Sequence, residues 1–523
     1  MKNLVSRREM GKAAIPRRTT SGPSKPEAML PAQLTRYKMK TLITGRRVIS
    51  SRDSSTPKVS LPKPAHPFLP NASEPLRRKM LAEIGVKSVE DLYSDIPSEV
   101  RLKRPLKVEG LASEYEIRSH VESLLGENRS ANDQMVFLGA GVYNHYIPAA
   151  VRAMVSRSEF QTSYTPYQAE ASQGLLQALF EFQSMMANLA GVDVVNSSLY
   201  DGSTALGEAA RMAVRANGRR KILVPRALHP DKLSVLRNYV EPAGIQVQSY
   251  GYDLDDGGAD FDELKAKLDN NTAAVYCELP TFFGVLDPEV ARIPSMAHDE
   301  GALAVVGFDP VSLGGVKPPG EYGADIVVAE GQSISSEMNF GGPALGVIGC
   351  KGENLIRQMP GRLIGMTTTL DGLDRAFTMV LQTREQHIRR ERATSNICTN
   401  EALLAVGAAV YLSLLGPQGL QQLFRTIFTG TSYAIKKLGE IAQLTVPRFT
   451  NPHYQEFVVS VKGRKGTALK LQKRLLAQGV QAGKSLVKDF PELGESLLLC
   501  VTETTSQQSI DKLRLLLGKF VET

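Results

Sequence analysis

Cysteine and long apolar runs are both scarce in this sequence of 523 residues. Its four cysteines, Cys277, Cys350, Cys398 and Cys500, lie too far apart for a CxxC motif and are too few for a disulfide framework. The longest strongly apolar stretch, residues 402–416, is shorter than the roughly 20 residues that a membrane-spanning helix needs. We therefore expect a cytoplasmic protein without a membrane span.

Motifs for metal and serine chemistry are also missing. None of the seven histidines stands in an HExxH or similar ligand spacing, so we predict no metal site. No GxSxG segment indicates a serine hydrolase. The segment Gly341-Gly342-Pro343 has neither the GxGxxG nor the Walker spacing, and we interpret it as a tight turn. The sequence thus gives no support to a metalloenzyme, a serine hydrolase or a nucleotide loop.

Acidic residues are nearly absent from the first part of the chain. The net charge of +8 is concentrated in residues 1–63, whose only acidic residues are Glu9, Glu27 and Asp53. The remainder is near neutral, which argues against a nucleic-acid-binding face. We predict that residues 1–63 form a disordered basic tail. Two alternative interpretations are a transit peptide and a start codon assigned too far upstream. A transit peptide would place the protein in the mitochondrial matrix.

Strand and helix patterns divide the rest of the chain into three parts. Residues 64–130 show short, capped helical patterns and form a predicted N-terminal helical arm. Within residues 131–429, apolar runs such as 221–224 and 302–306 alternate with helical segments, which predicts a large domain with a mostly parallel sheet covered by helices. Residues 430–523 form a predicted smaller C-terminal α/β domain. The predicted fold class is α/β.

A long helical stretch is predicted over residues 372–415, polar at first and then apolar. It contains the basic segment 384–392, whose arginines could receive an anionic substrate or a partner's carboxylates in bidentate fashion. A solvated helix with internal ion pairs is the simpler interpretation of the same composition.

The segment around residue 202 has the form of a strand exit, a glycine turn and a helix start. Ser203 and Thr204 can present hydroxyls and free amides to an anion, as helix N-termini do when they bind phosphate. Simple capping of the helix by Asp201 or Ser203 is favoured when the pattern is taken alone.

Asp309 ends the apolar run 302–308, a position from which a carboxylate could pair with the protonated pyridine nitrogen of pyridoxal phosphate. Strand-end aspartates that cap a turn are far commoner. The next strand leads into the segment where a pyridoxal enzyme would carry its Schiff-base lysine. Between Lys317 and Lys351 the chain has no lysine, so the cofactor aldehyde would find no nearby amine there.

Tyr164 and Tyr167 lie in a polar, aromatic loop just ahead of a helix predicted from Ser172 to Ala190. This loop could line a cleft or a subunit interface. As a bare pattern it is equally a turn with a hydrophobic staple.

A set of longer phrases occurs together in this sequence. They are Tyr164-Thr-Pro-Tyr-Gln-Ala-Glu, Ser198-Leu-Tyr-Asp-Gly-Ser-Thr-Ala, Asp309-Pro-Val-Ser-Leu-Gly, Gly341-Gly-Pro, Pro360-Gly-Arg-Leu-Ile-Gly, Arg384-Glu-Gln-His-Ile-Arg-Arg-Glu and Ala393-Thr-Ser-Asn-Ile-Cys-Thr-Asn. Together they resemble the N-terminal subunit, subunit 1, of split glycine dehydrogenase (decarboxylating), the P-protein of the glycine cleavage system. The resemblance covers about residues 66–515, so only the basic tail lies outside it.

The resemblance implies a fold-type-I pyridoxal-phosphate transferase architecture in which two homologous halves are separate chains. It implies that subunit 2 carries the Schiff-base lysine and the pyridoxal phosphate, while this chain has lost its own working site. Ser333 falls at the position of the partner's lysine, and no catalytic residue is expected on this chain. Ser203, Thr204 and Asp309 are then a remnant of a cofactor site.

The implied reaction is decarboxylation of glycine, with transfer of the aminomethyl group to the lipoyl arm of H-protein. Candidates for the mouth of the partner's active site are Tyr164, Tyr167, Arg362, His387, Arg389 and Arg390. Two other hypotheses stay open: a self-sufficient pyridoxal-phosphate decarboxylase, which the missing lysine argues against, and a binding or regulatory protein that keeps a decayed transferase fold.

Overall fold

The computed structural model describes residues 68–69, 73–108, 110, 113–163 and 165–521. The chain divides into two compact units, Met1–Gly110 and Leu111–Thr523. The predicted basic tail, residues 1–63, lies outside the described residues. The division between the units falls inside the predicted arm, residues 64–130, and the predicted domain limits stay predictions.

Fourteen α-helices occur in the described residues. They are α1 Glu74–Ile84, α2 Glu114–Leu125, α3 Ala149–Val155, α4 Ser158–Gln161, α5 Gln173–Ala190, α6 Gly202–Asn217, α7 Pro230–Val240, α8 Phe261–Lys267, α9 Arg292–Asp299, α10 Glu353–Ile356, α11 Gln386–Arg389, α12 Ala402–Gly439, α13 Thr467–Leu476 and α14 Gln507–Val521.

The first unit contains short capped helices, as the sequence predicts. α1 begins after Ser73 and ends at Gly85, which takes the left-handed conformation with φ 83° that a glycine C-cap favours. A capping box between Ser88 and Asp91 opens the 3₁₀ turn Val89–Tyr93.

The second unit is built on a seven-stranded sheet. Its strands are β1 Val194–Val195, β2 Lys221–Pro225, β3 Gln246–Tyr250, β4 Thr272–Leu279, β5 Leu303–Phe308, β6 Ile326–Glu330 and β7 Gly346–Cys350. They lie in the order β1-β7-β6-β5-β4-β2-β3. The pairs from β3 to β6 are parallel, whereas β7 is antiparallel to both β6 and β1. The mostly parallel sheet predicted from the apolar runs is confirmed.

Both faces of this sheet are covered by helices, which explains why its strands are almost continuously apolar. All eight residues of β4 are buried. Since successive side chains alternate between faces, Val275 and Cys277 pack in the core with α5 and α12, and Ala274 and Tyr276 pack in the core with α6 and α7.

A four-stranded antiparallel sheet lies near the C-terminus. Its strands are β10 Leu444–Thr445, β11 Glu456–Val461, β12 Lys484–Ser485 and β13 Ser496–Cys500, in the order β10-β11-β13-β12. α13 and α14 share its core. These elements have the α/β pattern predicted for this part of the sequence, but both sheets belong to the same compact unit and a separate C-terminal domain stays a prediction. A two-residue parallel pair also joins Met135–Val136 to Val480–Gln481.

α12 connects the large sheet with this small one. It kinks at Gly416, whose φ of 59° is non-helical, immediately before Pro417. Residue 430, the predicted start of the small domain, lies inside α12. By length and composition α12 could cross a membrane, with a mean hydropathy of 1.6 in its most apolar window. A helix in a protein core passes the same test, and α12 packs against α3 and α5.

The helical prediction for residues 372–415 is wrong in its first part. A hairpin of β8 Leu363–Thr368 and β9 Arg375–Val380 occupies that place. The basic segment that follows is not one helix but three short turns, Gln382–Arg384, α11 and Arg390–Arg392. The hairpin forms instead of a helix because β9 pairs with β8, and the residues of β8 precede the segment from which the helix was predicted.

Candidate functional site

A cavity of about 420 Å³ lies at the carboxyl ends of β2, β4, β5 and β6. Open α/β sheets bind their ligands at this edge. Its polar lining residues are Tyr143, Asp201, Ser203, His229, Asp231, Lys232, Tyr276, Glu278, Thr281, Asp309, Glu330, Gln332 and Ser333. The remnant-site residues Ser203 and Asp309 and the predicted lysine position, Ser333, therefore share one cavity.

The N-terminus of α6 is capped by its own carboxylate. Asp201 Oδ1 accepts hydrogen bonds from the amides of Ser203 at 2.8 Å and Thr204 at 2.9 Å. The Thr204 hydroxyl turns back to the Asp201 carbonyl oxygen at 3.0 Å. Capping by Asp201, the simpler of the two sequence interpretations, is therefore what the structure contains.

Glu330, the last residue of β6, supplies a second carboxylate to the same helix end. Its Oε2 accepts a hydrogen bond from the Gly202 amide at 2.9 Å. Its Oε1 accepts from the amides of Gln332 and Leu345, both at 2.8 Å. Burial raises the pKa of Glu330, and these three amides oppose that rise. The first three amides of α6 are thus all engaged by carboxylates of the chain.

Ser333 lies in the 3₁₀ turn Gln332–Ile334 that follows β6. The residue is only 3% exposed, and its Oγ has no hydrogen-bond partner among the described residues. A serine hydroxyl cannot form a Schiff base with an aldehyde. Residues 332–334 of this turn include no lysine.

One amine does line the cavity. Lys232, near the start of α7, contacts Glu278 Oε2 with its Nζ at 2.7 Å. Tyr276 donates its hydroxyl to the same oxygen at 2.8 Å. An ammonium held by a carboxylate has no lone pair with which to attack an aldehyde, so Lys232 is a poor replacement for a Schiff-base lysine.

Asp309 follows β5 directly, where the sequence placed it. Its Oδ1 accepts a hydrogen bond from the Ser312 amide at 2.8 Å, so it caps the turn that leaves the strand. Burial raises the pKa of Asp309, and the nearby His145 acts in the opposite direction.

Pyridoxal phosphate requires an amine for its aldehyde, an anion site for its phosphate and a carboxylate for its ring nitrogen. Of these three, the cavity offers only the last, at Asp309. A phosphate placed at α6 would meet the carboxylates of Asp201 and Glu330 instead of free amides. The negative charges of these carboxylates and of the phosphate repel each other, so the residues of the cavity do not fit the cofactor.

The other candidate residues lie outside the cavity lining. Tyr167, Arg362 and His387 come together: the Tyr167 ring lies 5.7 Å from that of His387, and the Arg362 guanidinium lies 5.6 Å from the Tyr167 ring centre. Arg362 is buried and donates to Asn400 Oδ1 at 3.0 Å and to the Cys398 carbonyl oxygen at 2.7 Å. Its contacts indicate a structural role.

Arg389 and Arg390 are exposed beside this cluster in sequence. Arg389 Nε donates to the Thr383 carbonyl oxygen at 3.2 Å, and Arg390 has a φ of 51°. Tyr164 lies outside the described residues. The structure therefore leaves Tyr167, His387, Arg389 and Arg390 as side chains that reach the surface.

Sequence reasoning missed Lys232, Glu278 and Glu330. Glu330 ends an apolar strand and Lys232 stands near a helix start after β2, so both occupy the edge where ligands bind. That placement was a usable signal. Their partners, however, lie 128 and 46 residues away in the chain, which no local pattern reveals.

Comparison with known proteins gives a consistent result. "Probable glycine dehydrogenase (decarboxylating) subunit 1" of Pyrococcus abyssi is 45% identical over 449 residues, covering 85% of this chain and 97% of the relative. The protein of the same name from Carboxydothermus hydrogenoformans is 45% identical over 441 residues, with 84% and 97% covered.

Solved structures agree. A crystal structure of glycine decarboxylase (P-protein) of the glycine cleavage system, in inhibitor-bound form, matches with a TM-score of 0.75 and 35% identity, covering 86% of this chain and 98% of that one. The sphingosine-1-phosphate lyase of Burkholderia pseudomallei K96243, at 15% identity, 82% and 94% coverage and a TM-score of 0.58, shares the fold. The family model described as "Glycine cleavage system P-protein" matches residues 67–517, and this chain belongs to that family.

Proposed function

We propose that this chain is subunit 1, a partner subunit without its own cofactor, of a two-chain glycine dehydrogenase (decarboxylating). The observation that carries the proposal is Ser333, a buried serine at the turn where a pyridoxal enzyme needs an amine. Subunit 2 then supplies the lysine and the pyridoxal phosphate, and the assembly passes the aminomethyl group of glycine to the lipoyl arm of H-protein. We place the assembly in the cytoplasm, with no nucleic-acid or membrane partner.

This subunit contributes surface and stability to the assembly, not a reacting group. Tyr167, His387, Arg389 and Arg390 are the proposed contacts at the mouth of the partner's site, because their side chains reach the surface next to each other in sequence or in space. Arginine forks there can bind carboxylates of glycine or of subunit 2. Arg362, held by Cys398 and Asn400, positions the Tyr167 ring.

We predict that glycine-to-carbon-dioxide exchange in the presence of H-protein appears only when this chain and the lysine-bearing half are mixed. Each half is assayed alone and in the mixture, with pyridoxal phosphate added throughout. The expected result follows from a cavity that does not fit the cofactor on this chain. Exchange by this chain alone would contradict the proposal. Full exchange activity of the lysine-bearing half without this chain would also contradict it.

The same samples distinguish the self-sufficient decarboxylase. That hypothesis gains one observation from the structure, since Lys232 lines the cavity. Borohydride treatment of this chain with pyridoxal phosphate should leave no reduced adduct on Lys232 because its ammonium is paired with Glu278. An adduct that disappears in Lys232→Ala would favour the rival.

Exposed apolar side chains show where subunit 2 could bind. The hairpin of β8 and β9 carries Leu370 and Leu373 at its tip. The Leu370 side chain is fully exposed to solvent and that of Leu373 is 82% exposed. Phe340 is also almost fully exposed. Large apolar side chains that protrude fully into water are unfavourable in an isolated chain and are typical of protein interfaces. We place the hairpin tip in the interface with subunit 2.

The double variant Leu370→Ser/Leu373→Ser should bind the lysine-bearing half at least about tenfold more weakly. Its free energy of unfolding should change by less than about 0.5 kcal/mol, because both side chains lie in water in the single chain. Titration calorimetry measures the affinity. Leu515→Ser, which alters a 63% exposed leucine on α14, is the matched control and should bind normally. Unchanged affinity of the double variant would remove the hairpin from the interface.

A further inference from the structure

A phosphate-binding helix end needs free amides, and α6 has none to offer. An α-helix leaves its first amides without partners inside the helix, and these amides are what an anion binds. In α6 the Gly202 amide donates to Glu330, and the amides of Ser203 and Thr204 donate to Asp201. From Ala205 onward the amides bond within the helix, to the Asp201 carbonyl oxygen in the first case.

The two carboxylates differ in origin. Asp201 is an ordinary N-cap, adjacent to the helix that it caps. Glu330 comes from the end of β6, 128 residues further along the chain, and reaches the helix from the cavity side. Its two oxygens accept from three backbone amides, which belong to the first residue of α6, the turn after β6 and Leu345, the residue before β7. Converging backbone amides of this kind are what the oxygens of a phosphate bind.

Close packing fixes this carboxylate in place. A Cβ built on Gly202 would lie 3.1 Å from both the Cβ and the backbone nitrogen of Glu330, tighter than ordinary contact. The missing side chain at Gly202 thus lets the helix end approach Glu330. A bound phosphate and the Glu330 carboxylate cannot occupy the same amides at once, because each oxygen needs the same N–H groups.

We propose that Glu330 is a built-in anion that occupies the phosphate-binding position of the ancestral cofactor cavity and excludes pyridoxal phosphate and other phosphate ligands from this chain. Loss of the lysine removes the covalent attachment of the cofactor, and Glu330 removes the place for its phosphate. The inference depends on the cavity geometry of this chain and goes beyond its proposed role as a partner subunit.

Inorganic phosphate is the probe. Full-length Glu330→Ala should show a melting temperature that rises by roughly 2 to 4 °C between 0 and about 50 mM phosphate, with chloride keeping the ionic strength constant. Wild type should show no such rise. Asp231→Ala is the matched control: it removes an exposed carboxylate of the same cavity that does not contact the α6 amides, and it should behave as wild type.

A phosphate-dependent rise of equal size in wild type, or none in Glu330→Ala, overturns the proposal. Should Glu330→Ala fail to fold, its refolding yield is measured in phosphate and in chloride. Recovery with phosphate alone supports an anion site, and equal yields contradict it. This assay uses neither glycine nor subunit 2, so a negative result does not contradict the partner-subunit proposal. A negative result in the exchange assay likewise does not contradict the proposal for Glu330.

Discussion

Replacing Gly284 with alanine should destabilise the second unit by more than about 4 kcal/mol. Gly284 has a φ of 76°, and a Cβ at this position would lie 1.9 Å from the backbone carbonyl oxygen of Glu456. The opposing atom belongs to the main chain and cannot rotate away as a side chain could. The loop must therefore move, which separates the large sheet from the small one.

Several contacts would be lost with that movement. The Gly284 carbonyl oxygen accepts from the Tyr454 amide at 2.9 Å, and the Leu286 amide donates to the Pro452 carbonyl oxygen at 2.8 Å. Phe283, next to Gly284, stacks on Phe449 with ring centres 5.2 Å apart. Aromatic pairs and buried backbone hydrogen bonds each contribute about 1 kcal/mol, so their joint loss is consistent with a large effect.

Gly218→Ala is the matched control for Gly284→Ala. Gly218, the left-handed C-cap of α6, has a similar φ of 75°, but a Cβ there meets no atom within 4 Å. It should therefore cost only the roughly 1 to 2 kcal/mol of the left-handed conformation. Because the chain has no tryptophan, unfolding in guanidinium is followed by far-UV circular dichroism. Equal costs for the two variants would show that the contact with Glu456 is unimportant.

The sequence predicts the fold correctly where the local residue pattern of a segment matches its burial in the structure. Strands such as β2 and β5 are short apolar runs rich in Val, Ile and Leu between turn residues, and they fell at the predicted places. The hairpin of β8 and β9 did not, because its pairing depends on the registry of two segments rather than on either one alone. Arg384, which continues the chain after β9, is buried and donates to the carbonyl oxygens of Met359, Gly361 and Leu381.

The candidate site shows the same limit. The missing lysine and the position of Asp309 are properties of single strands, and both could be read directly. The carboxylate of Glu330 at the start of α6 is a contact between distant segments, and it decides that the helix end offers no anion site. A helix start with a glycine and hydroxyl residues therefore predicts a place where phosphate can bind, but not whether the chain itself already fills that place.

Glu456 provides a second large effect, one that depends on pH. It is 4% exposed; its Oε1 accepts from the Ala140 amide at 2.6 Å and its Oε2 from the Tyr143 hydroxyl at 2.8 Å. Burial raises the pKa of Glu456 to about 7, against an ordinary value of 4.5. The hydrogen bonds from Ala140 and Tyr143 oppose that rise, and the charges of Asp309 and Glu278 add to it.

Because the folded chain holds this proton more tightly than the unfolded chain does, stability is fully present below pH 4.5 and falls as pH rises through 7. The loss can reach about 3 kcal/mol for a shift of this size. Glu456→Gln keeps the acceptor for Ala140 and can donate to the Tyr143 oxygen, so it should match wild type near pH 4.5 and exceed its free energy of unfolding by about 1 to 3 kcal/mol at pH 8.

Guanidinium unfolding of wild type and Glu456→Gln between pH 4.5 and 8 measures this difference. Burial also lowers the pKa of His453 to about 4, which destabilises both proteins as the solution becomes acidic. Since His453 is common to both, its contribution cancels when the two curves are subtracted and only that of Glu456 remains. A difference curve that is flat across this range would mean that Glu456 titrates near its ordinary pKa, and that Ala140 and Tyr143 outweigh its burial.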